Sequence, residues 1–313
     1  MIRSALPSDL TELCYPVVTM GTFDGVHTGH QYLLERVISR AKKMSGESVV
    51  ITYYHHPKET LNKELRTYLL TERERKTELI KELGIDHILY LQFDEEMVEM
   101  RAEEFLRRIL IEKVKAKEIV FGYDCHFGYR REGDYHFLKD NENFYGYRSS
   151  LIKPVRIKGK IVSSSLIRNM IRAGEVTEAE KFLGRYYDLI GTVGTGSGIG
   201  RELGFPTLNV IPIDSFKLLP ANGVYFGKAC FAEQEHFCLT NIGYCPTLKH
   251  LDERTVETHL IGFEGDLYNR KISISFITRL RDEEKFSDKN SLQRAIEKDR
   301  QVADKLIERI EKR

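Results

Sequence analysis

Apolar positions in the first half of the chain alternate between short runs and helical spacings. YPVVTMG is a run; Leu33, Leu34, Val37, Ile38, Ala41 and Met44 then recur at i, i+3 and i+4; SVVITYY is a run again. This order predicts strand, helix, strand. Thr71 to Glu74 has the spacing of a capping box and predicts the start of the helix TERERKTELIKELG, which ends at Gly84 before the strand-like DHILYLQF. A further helix, AEEFLRRILIEKV, precedes the strand EIVFGYD. Parallel neighbours need long crossovers, so the pattern predicts a mainly parallel sheet with helices on both faces. Ligands of such sheets bind outside the carboxyl ends of the strands.

From Asp188 the pattern changes. YYDLIGTVG, GVYFGKACF, HFCLTNIG, TVETHLIGF and KISISFIT are separated by turn residues with no long helix between them, which predicts an antiparallel barrel or sandwich. Leu292, Ile296, Ala303, Leu306 and Ile310 form one stripe of a final helix expected to pack across it. The fold class is therefore α/β followed by β, in two domains, 1–184 and 185–313.

Composition narrows the class. The 313 residues carry 48 Lys+Arg against 47 Asp+Glu, spread evenly over both halves, which offers no bulk basic surface for nucleic acid. No run approaches a membrane span, and MIRSALPSDLTEL lacks the pattern of a secretory signal, so a cytoplasmic protein is expected. Five cysteines without a C-x-x-C pair suit neither a disulfide framework nor a zinc ribbon.

The strongest chemical signal is GTFDGVHTGH, Gly21 to His30, at the first strand–helix junction. Gly21, Gly25 and Gly29 permit tight turns and close approach of a phosphate, and the helix that follows presents unpaired N–H groups to an anion. Phe23 and Asp24 lie within the same loop. His27 and His30 can aim imidazole N–H groups at phosphates and stabilise charge that builds on phosphorus. The competing reading is a surface pair or half of a metal site. VSSSLIR puts Ser163, Ser164 and Ser165 at a helix start and Arg168 one turn in, suited to polyphosphate and a pyrophosphate leaving group, although alone it reads as a cap. GYDCHFGYRREGD, with Asp124, Phe127 and Arg131, is either a ligand loop or a solvated turn. YYHHP, with His55, His56 and Pro57, reads by itself as a structural turn.

In the second half, GTVGTGSGIGRELGFPTLN includes Gly196, Gly198, Gly200, Arg201 and Gly204. It is no P-loop, and its glycines suit either a phosphate flap or ordinary turns. Thr207 and Asn209 supply the hard oxygen ligands that Mg²⁺–ATP accepts. Glu257 either faces solvent or acts as general base toward an attacking alcohol.

GTFDGVHTGH, VSSSLIR, GRELGFPTLN, NIGYCPT and RDEEKF occur in the order and spacing of the bacterial bifunctional riboflavin kinase/FMN adenylyltransferases, and over nearly its whole length the chain resembles that family. The resemblance implies a Rossmann-like nucleotidyltransferase domain followed by a six-stranded riboflavin kinase barrel with a C-terminal helix. It implies phosphorylation of riboflavin by ATP in the second half, with Thr207 and Asn209 on Mg²⁺, the glycine loop over the nucleotide and Glu257 activating the hydroxyl. It implies joining of FMN to AMP from a second ATP in the first half, through His27, His30, Ser164 and Arg168. His56, Pro57, Asp124, Phe127, Arg131 and Asn241 would contact flavin. No nucleic-acid or membrane partner is implied, and the chain is expected as a monomer or in weak self-association. The family often has D-F-R-F-G, I-S-S-T-R-I-R and F-x-P-H-P where this chain has DCHFG, VSSSLIR and YYHHP, whereas PTLN keeps both expected metal ligands. The alternatives are a kinase whose adenylyltransferase half is weak or inactive, and a non-catalytic flavin- or nucleotide-binding regulator.

Overall fold

The computed structural model describes residues 13–53, 68–195, 200, 204–244 and 254–312. The chain divides into two compact units between Ser164 and Ser165. This division precedes the change of pattern near Gly184, because the two helices that follow Ser163 pack with the barrel.

In the first unit, β1 (Val17–Met20), β2 (Ser48–Tyr53), β3 (His87–Leu91), β4 (Glu118–Gly122) and β5 (Arg148–Ile152) form a five-stranded sheet in the order β3-β2-β1-β4-β5. Every neighbouring pair is parallel. The expected crossovers are present: α1 (Thr28–Lys43), α2 (Arg73–Glu82) and α3 (Ala102–Phe105), the last running on through a wider-wound stretch, Leu106–Lys113. Alternation along β1 sends Val17 to the face covered by Leu34, Val37 and Ile80, and Val18 to the face covered by Phe105, Leu106 and Leu110. Both faces are thus covered, as parallel sheets require.

The start of α2 differs from expectation. Its N-cap is Glu72, with no side-chain cap bond, rather than Thr71. The Thr71 N–H, which a capping box would pair with Glu74, donates to the Asp24 carboxylate.

The second unit begins with α4 (Ser164–Arg172), of which Ser164 itself still belongs to the first unit, and α5 (Val176–Leu183). Then β6 (Tyr187–Gly194), β7 (Leu208–Pro212), β8 (Gly223–Phe231), β9 (Gln234–Tyr244), β10 (Arg254–Leu260) and β11 (Lys271–Arg281) close an antiparallel barrel in the order β8-β9-β10-β7-β6-β11. Closure leaves no free sheet edge. The sequence pattern foresees five of these strands; β7, short and bounded by Pro206 and Pro212, reads there as loop. Thr177 Oγ1 donates to Ile277 O at 3.1 Å, fastening α5 to β11. The terminal helix α6 (Lys289–Glu311) sets Ala303 against Phe226 and Leu239. Within RDEEKF, Arg281 forks onto Asp299 of α6 at 2.8–3.1 Å, and Glu283 accepts from Asn222 Nδ2 and Tyr244 N–H.

Candidate active sites

Beyond β1 the chain turns through Gly21 to His27 with φ of 49° at Phe23, 88° at Gly25 and 37° at Val26. Such angles are strained for Phe and for β-branched Val, and persist only where the surroundings over-determine them. Here Phe23 and Val26 are each 1% exposed within the core, which supplies that constraint. Asp24, expected among the phosphate-binding residues, is buried; its carboxylate accepts the Leu70 and Thr71 N–H groups at 3.0–3.1 Å. Its carbonyl accepts Ser164 Oγ–H at 2.9 Å. Asp24 therefore shapes the loop from behind.

His27 is the N-cap of α1: its Nδ1 accepts the His30 N–H at 3.2 Å, which in the neutral ring leaves the proton on Nε2. The rings of His27 and His30 stack with centroids 3.6 Å apart, and Phe23 meets His30 edge-on at 5.2 Å. Gly29 permits this stack, since a Cβ there would stand 3.2 Å from the His27 ring. Burial, then the neighbouring His27 and Lys76, hold His30 well below the usual histidine range. Its Nδ1 is buried and has no hydrogen-bond partner among the described residues.

This loop forms one wall of a cleft of about 520 Å³ at the carboxyl edge of the sheet, where the topology predicts ligand. Gly21, Phe23, His27, Gly29, His30, Asp124, Phe127, Arg131, Ser163 and Ser164 all line it, while Asp24 and Gly25 are buried and do not. Ser165 and the buried Arg168 belong to the second unit. Another part of the wall is apolar and aromatic: Tyr53, Phe93, Met97 and Phe105. The 122–134 segment is anchored, and its residues 122–131 line the cleft. Phe127 packs with Phe105, Phe121 and Phe137, and a Cβ on Gly128 would stand 2.6 Å from the Ala102 backbone. Within DCHFG, Cys125 Sγ–H donates to Met20 O at 3.3 Å, and burial pushes its thiol up to about 12. Arg131 donates to His126 Nδ1 at 2.8 Å.

In the barrel, Asn241 on β9 stands opposite Glu257 on β10, which stands opposite Asn209 on β7. Residues in register share a sheet face, so three separately chosen candidates form one row. Burial pushes the Glu257 carboxyl up. Asn209 Nδ2–H donates to Thr195 O at 3.0 Å, which fixes the side-chain amide and leaves Oδ1 on its other side. Thr207 is exposed. Gly200 lies against it: a Cβ there would come within 3.0 Å of Thr207 Oγ1 and 2.5 Å of Phe205 O. Gly204 takes φ 82°. His259, which the sequence does not single out, bonds Pro206 O through Nδ1 at 2.9 Å and so braces the Thr207 segment. Gly196, Gly198, Arg201, His56 and Pro57 lie outside the described residues.

Among the described residues no group of three His, Cys, Asp or Glu side chains could hold a metal, and no helix is long and apolar enough to cross a membrane. The hydroxyl of Thr207 and the amide oxygen of Asn209 are hard neutral donors, which fit a magnesium ion shared with substrate phosphates.

A parallel α/β unit with a glycine- and histidine-lined cleft at its carboxyl edge, followed by a closed barrel carrying a carboxylate–amide row, is the architecture of a two-module protein. Comparison with known proteins makes the class specific. The family model described as FAD synthetase matches residues 11–166, and that described as riboflavin kinase matches 183–307. A bifunctional riboflavin kinase/FMN adenylyltransferase of Buchnera aphidicola is 36% identical over 92% of this chain and 93% of its own. Those of Pseudomonas fluorescens and Bacillus subtilis are 34% and 31% identical, over 90% and 92% of this chain and 90% and 91% of theirs. A crystal structure from Streptococcus pneumoniae, titled a macrolide-efflux protein, superposes with TM-score 0.87 at 28% identity, covering 95% of this chain and 96% of that one. The chain belongs to the bifunctional riboflavin kinase/FMN adenylyltransferase family.

Proposed function

We infer that this chain converts riboflavin to FMN in its barrel and FMN to FAD in its parallel unit, using one ATP for each step. The observation that carries the reading is that the two family matches coincide with two separate, chemically suited side-chain sets.

In the barrel, Glu257 accepts the proton of the riboflavin 5′-hydroxyl as that oxygen attacks the γ-phosphorus, and ADP departs. Its raised affinity for protons suits a base working near neutrality. Thr207 and Asn209 would hold Mg²⁺, which supplies neutralisation of phosphate charge when bound. Asn241, next in the row, would contact the flavin; Gly200 lets the loop pass close to Thr207, and Gly204, with open space beside it, leaves room for the nucleotide.

In the parallel unit the FMN phosphate oxygen attacks the α-phosphorus of ATP and pyrophosphate leaves. This displacement needs no proton transfer, so the task is positioning and charge stabilisation. His27 and His30, their rings stacked, would donate to the phosphates, and Ser163 and Ser164 would add hydroxyl donors. Arg168 keeps its assignment to the polyphosphate from the family pattern of VSSSLIR. The aromatic wall of Tyr53, Phe93 and Phe105 suits the flavin ring system, with Asp124, Phe127 and Arg131 on its rim. Incubation with riboflavin, ATP and Mg²⁺, followed by chromatographic separation of flavins, tests the reading. FAD is expected; FMN alone would leave only the kinase, and unchanged riboflavin would reduce the chain to a binding protein.

A further inference from the structure

Lys76 lies on α2 in a highly charged stretch, TERERKTELIKEL, yet is buried. Its Nζ reaches beneath the carboxyl ends of β1 and β2, 3.3 Å from each of Thr22 O, Tyr53 O and Thr52 Oγ1, with the Tyr90 ring at 5.5 Å. Thr22 and Tyr53 line the cleft, so the ammonium stands directly behind its wall. All three partners are neutral, and among the described residues no carboxylate lies within ion-pair distance of Nζ. An interior cation without a counter-ion is costly. Burial accordingly pulls Lys76 down to about 8, with Asp24 opposing the shift and Arg73 adding to it.

Resting on the reading of this cleft as the adenylyl-transfer site, we propose that Lys76 is a positioning residue whose buried ammonium is completed by the polyphosphate bound across the Thr22 and Tyr53 backbone, so that nucleotide binding and protonation of Lys76 are coupled. The anion supplies a counter-charge at a distance that no described carboxylate reaches. Above a pH of about 8 the unliganded lysine is neutral and must take up a proton as nucleotide binds; below it the charge is already present. Affinity therefore falls as pH rises through that point. Among the described residues, the other titratable groups facing Lys76 are Asp24 from the loop, Arg73 from its own helix, His30 from α1, Tyr53 from β2 and Tyr90 from β3. His30 is held well below the usual histidine range and both tyrosines are raised above the usual phenol range, so their changes fall outside the window. A phosphate's second ionisation, at about 6, is also complete there.

The test is calorimetry of MgATP binding to the full chain, between about pH 7.5 and 9.5, in buffers of different protonation enthalpy. The KM for ATP in FAD formation from supplied FMN is measured alongside. Wild type should take up a fraction of a proton, and its KM should rise by up to about tenfold per pH unit above the titration point. Lys76→Met should lose that uptake, show a high and flat KM with little change in kcat, and melt at higher temperature, because a buried charge has been removed. Lys76→Arg, permanently charged, should show no uptake and a flat, low KM; it carries the test if the Met variant fails to fold. Unchanged proton uptake in either variant would overturn the proposal, as would a Met variant that melts earlier with normal KM, the mark of a packing role. ATP bound at the barrel contributes equally to all three proteins. Absence of FAD formation by wild type at every pH would sink the underlying reading instead, separately from the calorimetric result.

Discussion

The two units hold their candidate site residues by opposite means. In the parallel unit they crowd one strand–helix junction, where Phe23, Gly25 and Val26 take positive φ and His27 caps the helix that carries His30. In the barrel, Asn241, Glu257 and Asn209 come from three neighbouring strands, and the ladder itself aligns them. The first arrangement stores strain and buried polarity beside the cleft, which preorganises it but makes it sensitive to a single methyl group. The second distributes the positioning over many backbone bonds and leaves the side chains replaceable one at a time.

The comparison is sharpened most by Glu257→Gln. It should lower FMN formation by roughly 10²- to 10⁴-fold, the usual worth of a general base, while FAD formation from supplied FMN is unchanged. Near-normal phosphorylation, followed by flavin chromatography, would remove Glu257 from the mechanism. His30→Ala should act in the opposite sense, lowering FAD formation by roughly 10²- to 10³-fold, as for loss of one donor to developing charge. Loss of both activities would mark His30 as a folding residue. Gly29→Ala should lower FAD formation by up to about 10²-fold by displacing the His27 ring, with kinase rates untouched.

Stability should separate the units too. Asp299→Ala would leave Arg281 without its carboxylate and should destabilise the barrel by roughly 3 kcal/mol in denaturant melts, an upper figure because the guanidinium is partly solvated. The smallest effect concerns acid. The folded-state pKa of His30 lies below its unfolded value of about 6.5, so its contribution is fully present above that pH and is lost as pH falls below it. Thermal melts from pH 7.5 to 5 should show a decline for the parallel unit that His30→Gln lessens; an identical decline in the variant would remove His30 as a cause.

Much of this was legible in the sequence because periodicity reports burial. The alternation of GVYFGKACF appears as β8, and the stripe through Ala303 as the buried face of α6. β5 was not foreseen: RSSLI is a half-exposed edge strand with little apolar contrast. The glycine and histidine positions could be chosen from local chemistry, but their sorting could not. Asp24 sits in the most suggestive motif of the chain, yet its carboxylate is engaged by residues more than forty positions away. Lys76 is hidden for the converse reason, since a lysine among TERERK reads as a solvated face, whereas the tertiary fold buries it.

The central claim, that two complete and separable sites share the chain, is tested most directly by mixing Glu257→Gln and His30→Ala proteins and following FAD formed from riboflavin, ATP and Mg²⁺. Each variant alone should yield little FAD, and the mixture should restore it, because FMN released by one protein feeds the other. A mixture no better than its components would contradict the account.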